Sequence, residues 1–506
     1  KYMKRKKELI VILSSLLVIV LSVSVAYFTT KILGEGKEIS VESADLKVTF
    51  TSGSGTINGT NIEPGWSSGE NTFTVKNESN GTYKYNIIIK DLVNTFTTSG
   101  FLVYKITSAD GGYNMTEFED VPKSSTATDT VLAENISIEK GTTHTYKIII
   151  NYNNSDDVDQ SADMGKLLSG KIFINKASNP TLASKLLEDN PIISTRSDFS
   201  TPFTTNTANT LYKATENGTD VYYFAGQDTT STPINNWVKF GKNSSNQDLY
   251  WRIIRTNADG SIRLLYHGTS TAATDAYIGE SKFNEESSDS MYVGYMYGTS
   301  GSQESNRTNT NDSTIKTAID NWYASNMTSY TKYLSTTAVY CNDRKVGSGT
   351  YSATGSKFNY AAYTRLYTSE TPTYDCTNDN DKFTVDASTG NGKLTYPVSL
   401  MTADEIAYAG GVYDQEAPMW YYTNSSLDSS TGIQWWWSLS PFNWFGSRAY
   451  SWDVRGSDGP GRLNYDIVDG SFGVRPVVSL KSCVKYSTGN GSSETPYEIV
   501  ETSSGC

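Results

Sequence analysis

The sequence predicts a multidomain, β-rich chain: an N-terminal transmembrane helix, an all-β antiparallel sandwich, then a mixed α+β domain. Three observations carry that prediction. Short runs of alternating apolar residues separated by Gly/Ser/Asn/Asp turns fill residues 38–176, and such spacing without a helical period marks an antiparallel sandwich. Residues 177–207 are polar and punctuated by Pro180, Pro191 and Pro202, which is the texture of a linker. From residue 208 to 506 strand-like runs alternate with helical periods, and aromatics are dense. At 506 residues with 37% apolar content, the chain is too long for one core and too apolar to be disordered.

The elements follow in order. Lys1, Lys4, Arg5, Lys6 and Lys7 against Glu8 give +4 over residues 1–8, so of the total −12 the remainder carries −12 − 4 = −16. An acidic body repels phosphate backbones, which disfavours nucleic acid as a partner, and none is expected. Met3, ahead of the basic run, reads as the natural start. Leu9–Phe28 is free of charge and at 1.5 Å per residue spans about 30 Å, a bilayer's hydrocarbon thickness. Residues 9–32 are therefore expected to be a transmembrane anchor, with basic residues 1–8 as a cytoplasmic tail and the body outside. A cleaved signal peptide is the alternative, because Ser24-Val25-Ala26 fits a small-x-small site.

Seven strands are expected in the sandwich: Leu46–Thr51, Asn71–Asn77, Tyr83–Asp91, Phe101–Thr107, Val131–Glu139, His144–Tyr152 and Lys171–Lys176. Within the linker, Thr181–Asp189 fits a short helix. Beyond it, Val221–Phe224, Trp237–Phe240, Tyr250–Thr256 and Ser261–Tyr266 read as strands, with Asp259-Gly260 closing a hairpin. Ile315, Ala318, Ile319, Trp322 and Tyr323 recur at helical spacing after the cap candidates Asp312 and Ser313. Thr402 with Glu405 three residues on forms a capping box for a helix to Tyr408, which gives Asp404-Glu405 a structural role. Asp379-Asn380-Asp381 reads as a solvated loop, since no acidic ligand follows at calcium-loop distance.

Two histidines and four cysteines without CxxC spacing supply neither a zinc site nor a nucleophile system. Four cysteines in an exported chain allow three disulfide pairings. The local one, Cys341–Cys376 and Cys483–Cys506, is preferred, each bond stabilising by roughly 3–4 kcal/mol. Free buried thiols are the alternative.

Between Gln434 and Leu480, Trp435, Trp437 and Leu439 share one strand face and are expected in the core. After them come aromatics mixed with Arg, Asn and Asp, a composition that binding surfaces favour. With Trp452 and Val454 pointing inward, Ser451, Asp453 and Arg455 are expected to point out. Candidate ligand-binding residues are Phe442, Asn443, Trp444, Phe445, Ser447, Arg448, Tyr450, Asp453, Arg455, Asp458, Arg462, Asn464, Tyr465 and Asp466.

Two resemblances add to this reading. Ala26-Tyr27-Phe28, Glu63-Pro64-Gly65, Phe73–Asn77 and Tyr85–Lys90 resemble camelysin and the biofilm-fibre proteins of Firmicutes, which implies a β-sandwich stalk or assembly module. Lys316–Tyr323, Cys341–Arg344, Tyr396-Pro397-Val398 with Thr402–Glu405, Ser438–Pro441 and Gly473–Pro476 resemble a C-type-lectin-like domain. The variant is the formylglycine-generating-enzyme type of diversity-generating-retroelement variable proteins. That resemblance implies a diversified window from Phe442 to Asp469 on a scaffold of Trp437, Pro441, Ala449, Val454, Val468, Gly473 and Arg475. Together they predict a membrane-anchored receptor or adhesin on the surface of a Gram-positive-type bacterium, without cofactor or metal, gripping an extracellular protein or glycan. A fibre or matrix subunit is the structural alternative. A formylglycine-generating oxidase is the enzymatic one, disfavoured because it needs a reactive cysteine pair. The absence of Glu-Pro-Asn and Gln-Pro-Asp triplets argues against calcium-dependent sugar binding.

Overall fold

The computed structural model describes residues 38–39, 46–52, 56–59, 62–78, 82–177, 179–272, 276–422 and 435–506. The chain divides into two compact units, Lys1–Ser178 and Asn179–Cys506. The first is built of two antiparallel sheets. One runs Glu38–Ile39, Leu46–Ser52, Asn71–Asn77, Thr143–Tyr152, Leu102–Ser108, Glu119–Asp120, with Trp66–Ser67 beside Thr143–Tyr152. The other runs Thr56–Gly59, Leu168–Lys176, Tyr83–Asn94, Ser124–Ile138. Alternation explains the pairing of faces: Phe73, Val75, Tyr146, Ile148 and Ile150 from the first sheet share a core with Tyr85, Ile87, Ile89, Ile172 and Ile174 from the second. All seven expected strands are present; the short ones at Glu38–Ile39, Thr56–Gly59, Trp66–Ser67 and Glu119–Asp120 join them.

In the second unit a ten-stranded sheet runs Ile192–Thr195, Thr210–Glu216, Thr219–Tyr223, Asp248–Thr256, Trp237–Lys242, Tyr497–Ile499, Tyr486–Thr488. Ile262–Tyr266 pairs Asp248–Thr256 and Val477–Leu480, and the latter also pairs Val398–Ser399. The Asp259-Gly260 turn closes as expected, with the Gly260 N–H donating to the Asn257 carbonyl and Gly260 at φ 76°. A second sheet, of seven strands, runs Glu280–Lys282, Ser471–Gly473, Trp436–Phe445, Phe358–Tyr360, Val346–Gly349, with Arg448–Val454 added beside Trp436–Phe445 and Leu463–Ile467 beside Arg448–Val454. The helix Thr314–Asn326 is capped by Ser313, whose side chain accepts from the Lys316 N–H, and buries Ile315, Ile319 and Tyr323.

The linker expectation is corrected. Residues from Asn179 onward belong to the second unit, because Thr181 caps a helix Leu182–Asp189 whose Leu182 and Leu186 enter that unit's core. Ile192–Thr195 then pairs in parallel with Thr210–Lys213. Both local disulfides form, Cys341–Cys376 and Cys483–Cys506. The membrane placement is corrected as well. The expected anchor at 9–32, with the tail at 1–8, lies outside the described residues, and among the described residues no helix is long and apolar enough to cross a membrane.

A buried ionic network ties the ten-stranded sheet to the helix Ala403–Tyr408. Its capping box is formed, Thr402 and Glu405 each accepting from the other's backbone N–H. Beyond the cap, Glu405 Oε1 accepts from Arg255 Nε at 3.0 Å and from Arg263 Nη1 at 2.7 Å. Arg255 also holds Glu216, and Arg365 joins Asp343 to Asp404. Asp381 is not solvated as expected: it is buried against Arg344 and Arg307.

Candidate ligand-binding surface

Trp436–Phe445 and Arg448–Val454 form a hairpin whose tip residues Gly446 and Ser447 both adopt positive φ, 58° and 65°. That backbone fits the right-handed twist of a two-residue hairpin. Register shifts flank Pro441, which has no N–H to give the ladder. Arg448–Val454 is paired on both sides, by Trp436–Phe445 and by Leu463–Ile467. It is a central strand, and both of its faces meet other side chains.

On one face the rings gather around Phe442. Phe442 lies flat against Tyr465 at 3.8 Å and 9°, and meets Trp452 edge-on at 4.7 Å. Tyr363 packs against Phe442 at 5.0 Å, Tyr367 against Tyr363 at 5.2 Å, and Tyr413 against Tyr367 at 5.0 Å. Tyr450 closes the far side, 5.6 Å from Tyr465. Phe442 and Trp452 are buried, whereas Tyr363, Tyr413, Tyr450 and Tyr465 are half-buried and Tyr367 is 52% exposed. Local structure explains the tyrosines brought in from outside the strands. Ala361–Tyr363 leads into a π-type turn Thr364–Ser369, ended by Glu370 at φ 52°, and this places Tyr363 and Tyr367 side by side. Tyr413 stands beside Leu463 in a parallel bridge, where the Asp414 N–H donates to the Leu463 carbonyl. Burial raises the Tyr363, Tyr413 and Tyr450 hydroxyls above the ordinary phenol value, and neighbouring tyrosines add to the effect. They are neutral donors at neutral pH. None of the five hydroxyls makes a hydrogen bond to a described residue.

The opposite face is charged and covered. Arg455 lies over the Trp435 ring at 3.2 Å, with its Nε 3.1 Å from Asp453 Oδ1 and Nη2 3.5 Å from Asp466. Trp435 Nε1 donates to Asp458 at 2.8 Å. Asp453 is 0% exposed and neither carboxylate oxygen has a hydrogen-bond donor among the described residues. Burial pushes its carboxyl up to about 8, Asp466 and Asp458 adding to the shift while Arg455 opposes it. Asp466 is raised by burial too. Seven buried polar atoms between Asn443 and Arg462 lack hydrogen-bond partners among the described residues, including Ser451 Oγ and Trp452 Nε1. A fold refined for stability alone removes such groups.

The structure thus divides the fourteen candidates. Phe445, Ser447, Arg448 and Asp458 are exposed, and Tyr450, Arg462, Asn464, Tyr465 and Asp466 are half-buried. Phe442, Asn443, Trp444, Asp453 and Arg455 are buried, which corrects their reading as ligand-facing. The expectation that Ser451 and Asp453 point out also fails: Trp452 and Val454 do face inward, but the other face is closed by Trp435, Trp437 and Phe472. Trp435 itself is half-buried, while Trp437 and Leu439 are core. The scaffold residues Trp437, Pro441, Ala449, Val454, Val468, Gly473 and Arg475 are all buried. Sequence reasoning missed Tyr363, Tyr367 and Tyr413. Its available signal was the i, i+4 spacing of Tyr363 and Tyr367.

No family profile matches this chain, and no curated protein matches it. A solved structure with some likeness is a family 123 glycoside hydrolase from Clostridium perfringens, 9% identical, with a TM-score of 0.12. The match covers 37% of this chain and 46% of that one, so it spans less than half of the hydrolase's length. A likeness that slight carries no argument about fold or activity.

Proposed function

We propose that this is a ligand-binding protein whose second unit, of the C-type-lectin-like type, holds a macromolecular ligand on the tyrosine face around Phe442. The first unit serves as its spacer, and the two disulfides favour an oxidising compartment. One observation carries this reading. Five partly exposed tyrosines stand on a buried Phe442–Trp452 base with their hydroxyls free of described partners. Tyrosine gives contact area at low entropic cost and a polar tip for specificity, and a packed base holds the rings in place before binding. The oxidase alternative needs a reactive cysteine pair, and the four cysteines are joined in disulfides.

The test is a defined array of recombinant proteins and oligosaccharides probed with the full chain, with each hit retested on a Tyr413→Ala/Tyr465→Ala chain. Hits should weaken by about 10–100-fold while the unfolding midpoint of the second unit holds. Hits that survive the double substitution at full strength refute the face as the binding surface.

Within the retroelement reading, the diversified set narrows to Phe445, Ser447, Arg448, Tyr450, Asp458, Arg462, Asn464, Tyr465 and Asp466. Replacing a buried aromatic such as Trp444 costs about 3–5 kcal/mol, so unselected variation there is lethal to the fold. Sequencing the coding segment from independent isolates should show substitutions at that set and not at Phe442, Asn443, Trp444 or Asp453. Equal variation at both refutes the narrowing.

A further inference from the structure

We propose that the corner made by Tyr363, Tyr367 and Tyr413 receives a positively charged lysine or arginine side chain of a polypeptide ligand. This rests on the tyrosine face being the binding surface and specifies what it binds. Tyr363, Tyr367, Tyr413 and Phe442 form a closed cycle of ring contacts, with centroids 5.2, 5.0, 6.0 and 5.0 Å apart around it. Tyr367 meets Tyr413 at 81°, so the two ring planes stand nearly perpendicular, and Tyr367 is the exposed member of the pair. A cation held against perpendicular π faces is stabilised by both quadrupoles.

This fold uses that contact repeatedly. Arg252 lies over Trp237, Arg255 over Tyr374, Arg455 over Trp435, and Lys357 over Phe445. Among the described residues, no cation lies over any of the four rings of this corner. Its charged surroundings point the same way. The largest electrostatic influences on the Tyr413 hydroxyl come from Tyr465, Asp414, Tyr363 and Tyr367. The Asp414 side chain is 63% exposed, held to Arg462 Nη1 only at 3.3 Å, and an exposed pair of that kind is weak. Glu370 is exposed just beyond Tyr367, in a chain of net charge −12. A neutral glycan fits less well. A neutral ligand draws no charge attraction from the carboxylates of Asp414 and Glu370, both exposed beside these rings.

The experiment uses the full chain and two nine-residue Gly/Ser peptides, one with three lysines and one with the same lysines acetylated, titrated calorimetrically at 50 and 300 mM salt. The lysine peptide should bind at least about fivefold more tightly than the acetylated one, with the preference shrinking at high salt. Tyr367→Leu/Tyr413→Leu should abolish the preference, and Tyr367→Phe/Tyr413→Phe, which keeps the rings, should retain it. Equal binding of the two peptides, or a preference that survives loss of the rings, overturns the cation assignment. If array hits still depend on Tyr413 and Tyr465 when the peptides show no preference, only this inference falls. If no hit depends on them, the binding-surface reading falls with it.

Discussion

Replacing Glu405 with alanine should destabilise the second unit by about 3–5 kcal/mol at pH 7, the cost of breaking a buried ion pair by removing one partner. Glu405 is 1% exposed and serves three donors: Arg255 Nε, Arg263 Nη1 and the Thr402 N–H. Arg255 keeps its bidentate contact with Glu216 when Glu405 is lost. Arg263 does not fare as well. It retains the Val339 carbonyl on Nη2, and its Nε already lacks a partner among the described residues. A buried guanidinium is thereby left without a counter-ion. Glu405→Gln keeps an acceptor for the Thr402 N–H and should lose less, about 2 kcal/mol. Burial alone would raise the Glu405 carboxyl, but Arg263 and Arg255 outweigh it and hold the group below its ordinary value. The sign follows: its contribution is full above the unfolded carboxylate range and is lost as pH falls through the lower folded value. The gap between wild type and variant should therefore close in acid. Tryptophan fluorescence during urea unfolding reads this unit well, since of the ten tryptophans Trp66 alone lies outside it. A Glu405→Ala chain within 1 kcal/mol of wild type at pH 7 contradicts the network's role.

The features that local patterns determine were legible in the sequence, and those set by long-range layering were not. Asn71–Asn77, the Asp259-Gly260 turn, the Ser313-capped helix and the Thr402–Glu405 box each follow from a handful of neighbouring residues. Asp453 and Arg455 were misread because alternation assigns one face to the core and the other to water. That inference holds only for a strand with one open face. Here Trp435, Trp437 and Phe472 close the second face, and nothing within Arg448–Val454 reveals them. The linker was misread for the opposite reason. Proline punctuation was weighed above Thr181 as a cap and Leu182/Leu186 as a helical pair, although both local signals were present. The tyrosine face is the mixed case. Tyr450 and Tyr465 come from the strands that composition had marked, whereas Tyr363, Tyr367 and Tyr413 lie between 37 and 102 residues before them in sequence, and only tertiary contact brings them together.

Asp453→Asn should stabilise the second unit in alkali and leave it nearly unchanged in acid. The carboxyl's folded pKa of about 8 lies above the ordinary 3.8. Between those values the folded chain holds a proton that the unfolded chain has released, so wild-type stability falls as pH rises through that interval. Each pH unit is worth about 1.4 kcal/mol, which bounds the wild-type loss at roughly 5 kcal/mol by pH 8. Water entry and side-chain relaxation reduce this, and a gain of about 2 kcal/mol or more is expected for the asparagine chain at pH 9. Asparagine matches the shape, carries no charge, and leaves Arg455 with the Tyr465 carbonyl at 2.9 Å and Asp466 at 3.5 Å. Urea unfolding at pH 5, 7 and 9 checks the prediction: a variant curve parallel to wild type across that range means Asp453 is not the uncompensated charge its geometry describes. The direction is opposite to that of Glu405, although both are buried carboxylates beside arginines. Glu405 has two guanidiniums and a backbone N–H aligned on it; Asp453 has one guanidinium within 3.1 Å and no aligned donor among the described residues. Hydrogen-bond alignment, more than the presence of an opposite charge, decides which carboxylate stabilises its fold. The one that does not lies on the strand carrying Tyr450 and Trp452, where the fold tolerates a cost beneath the surface that we propose binds the ligand.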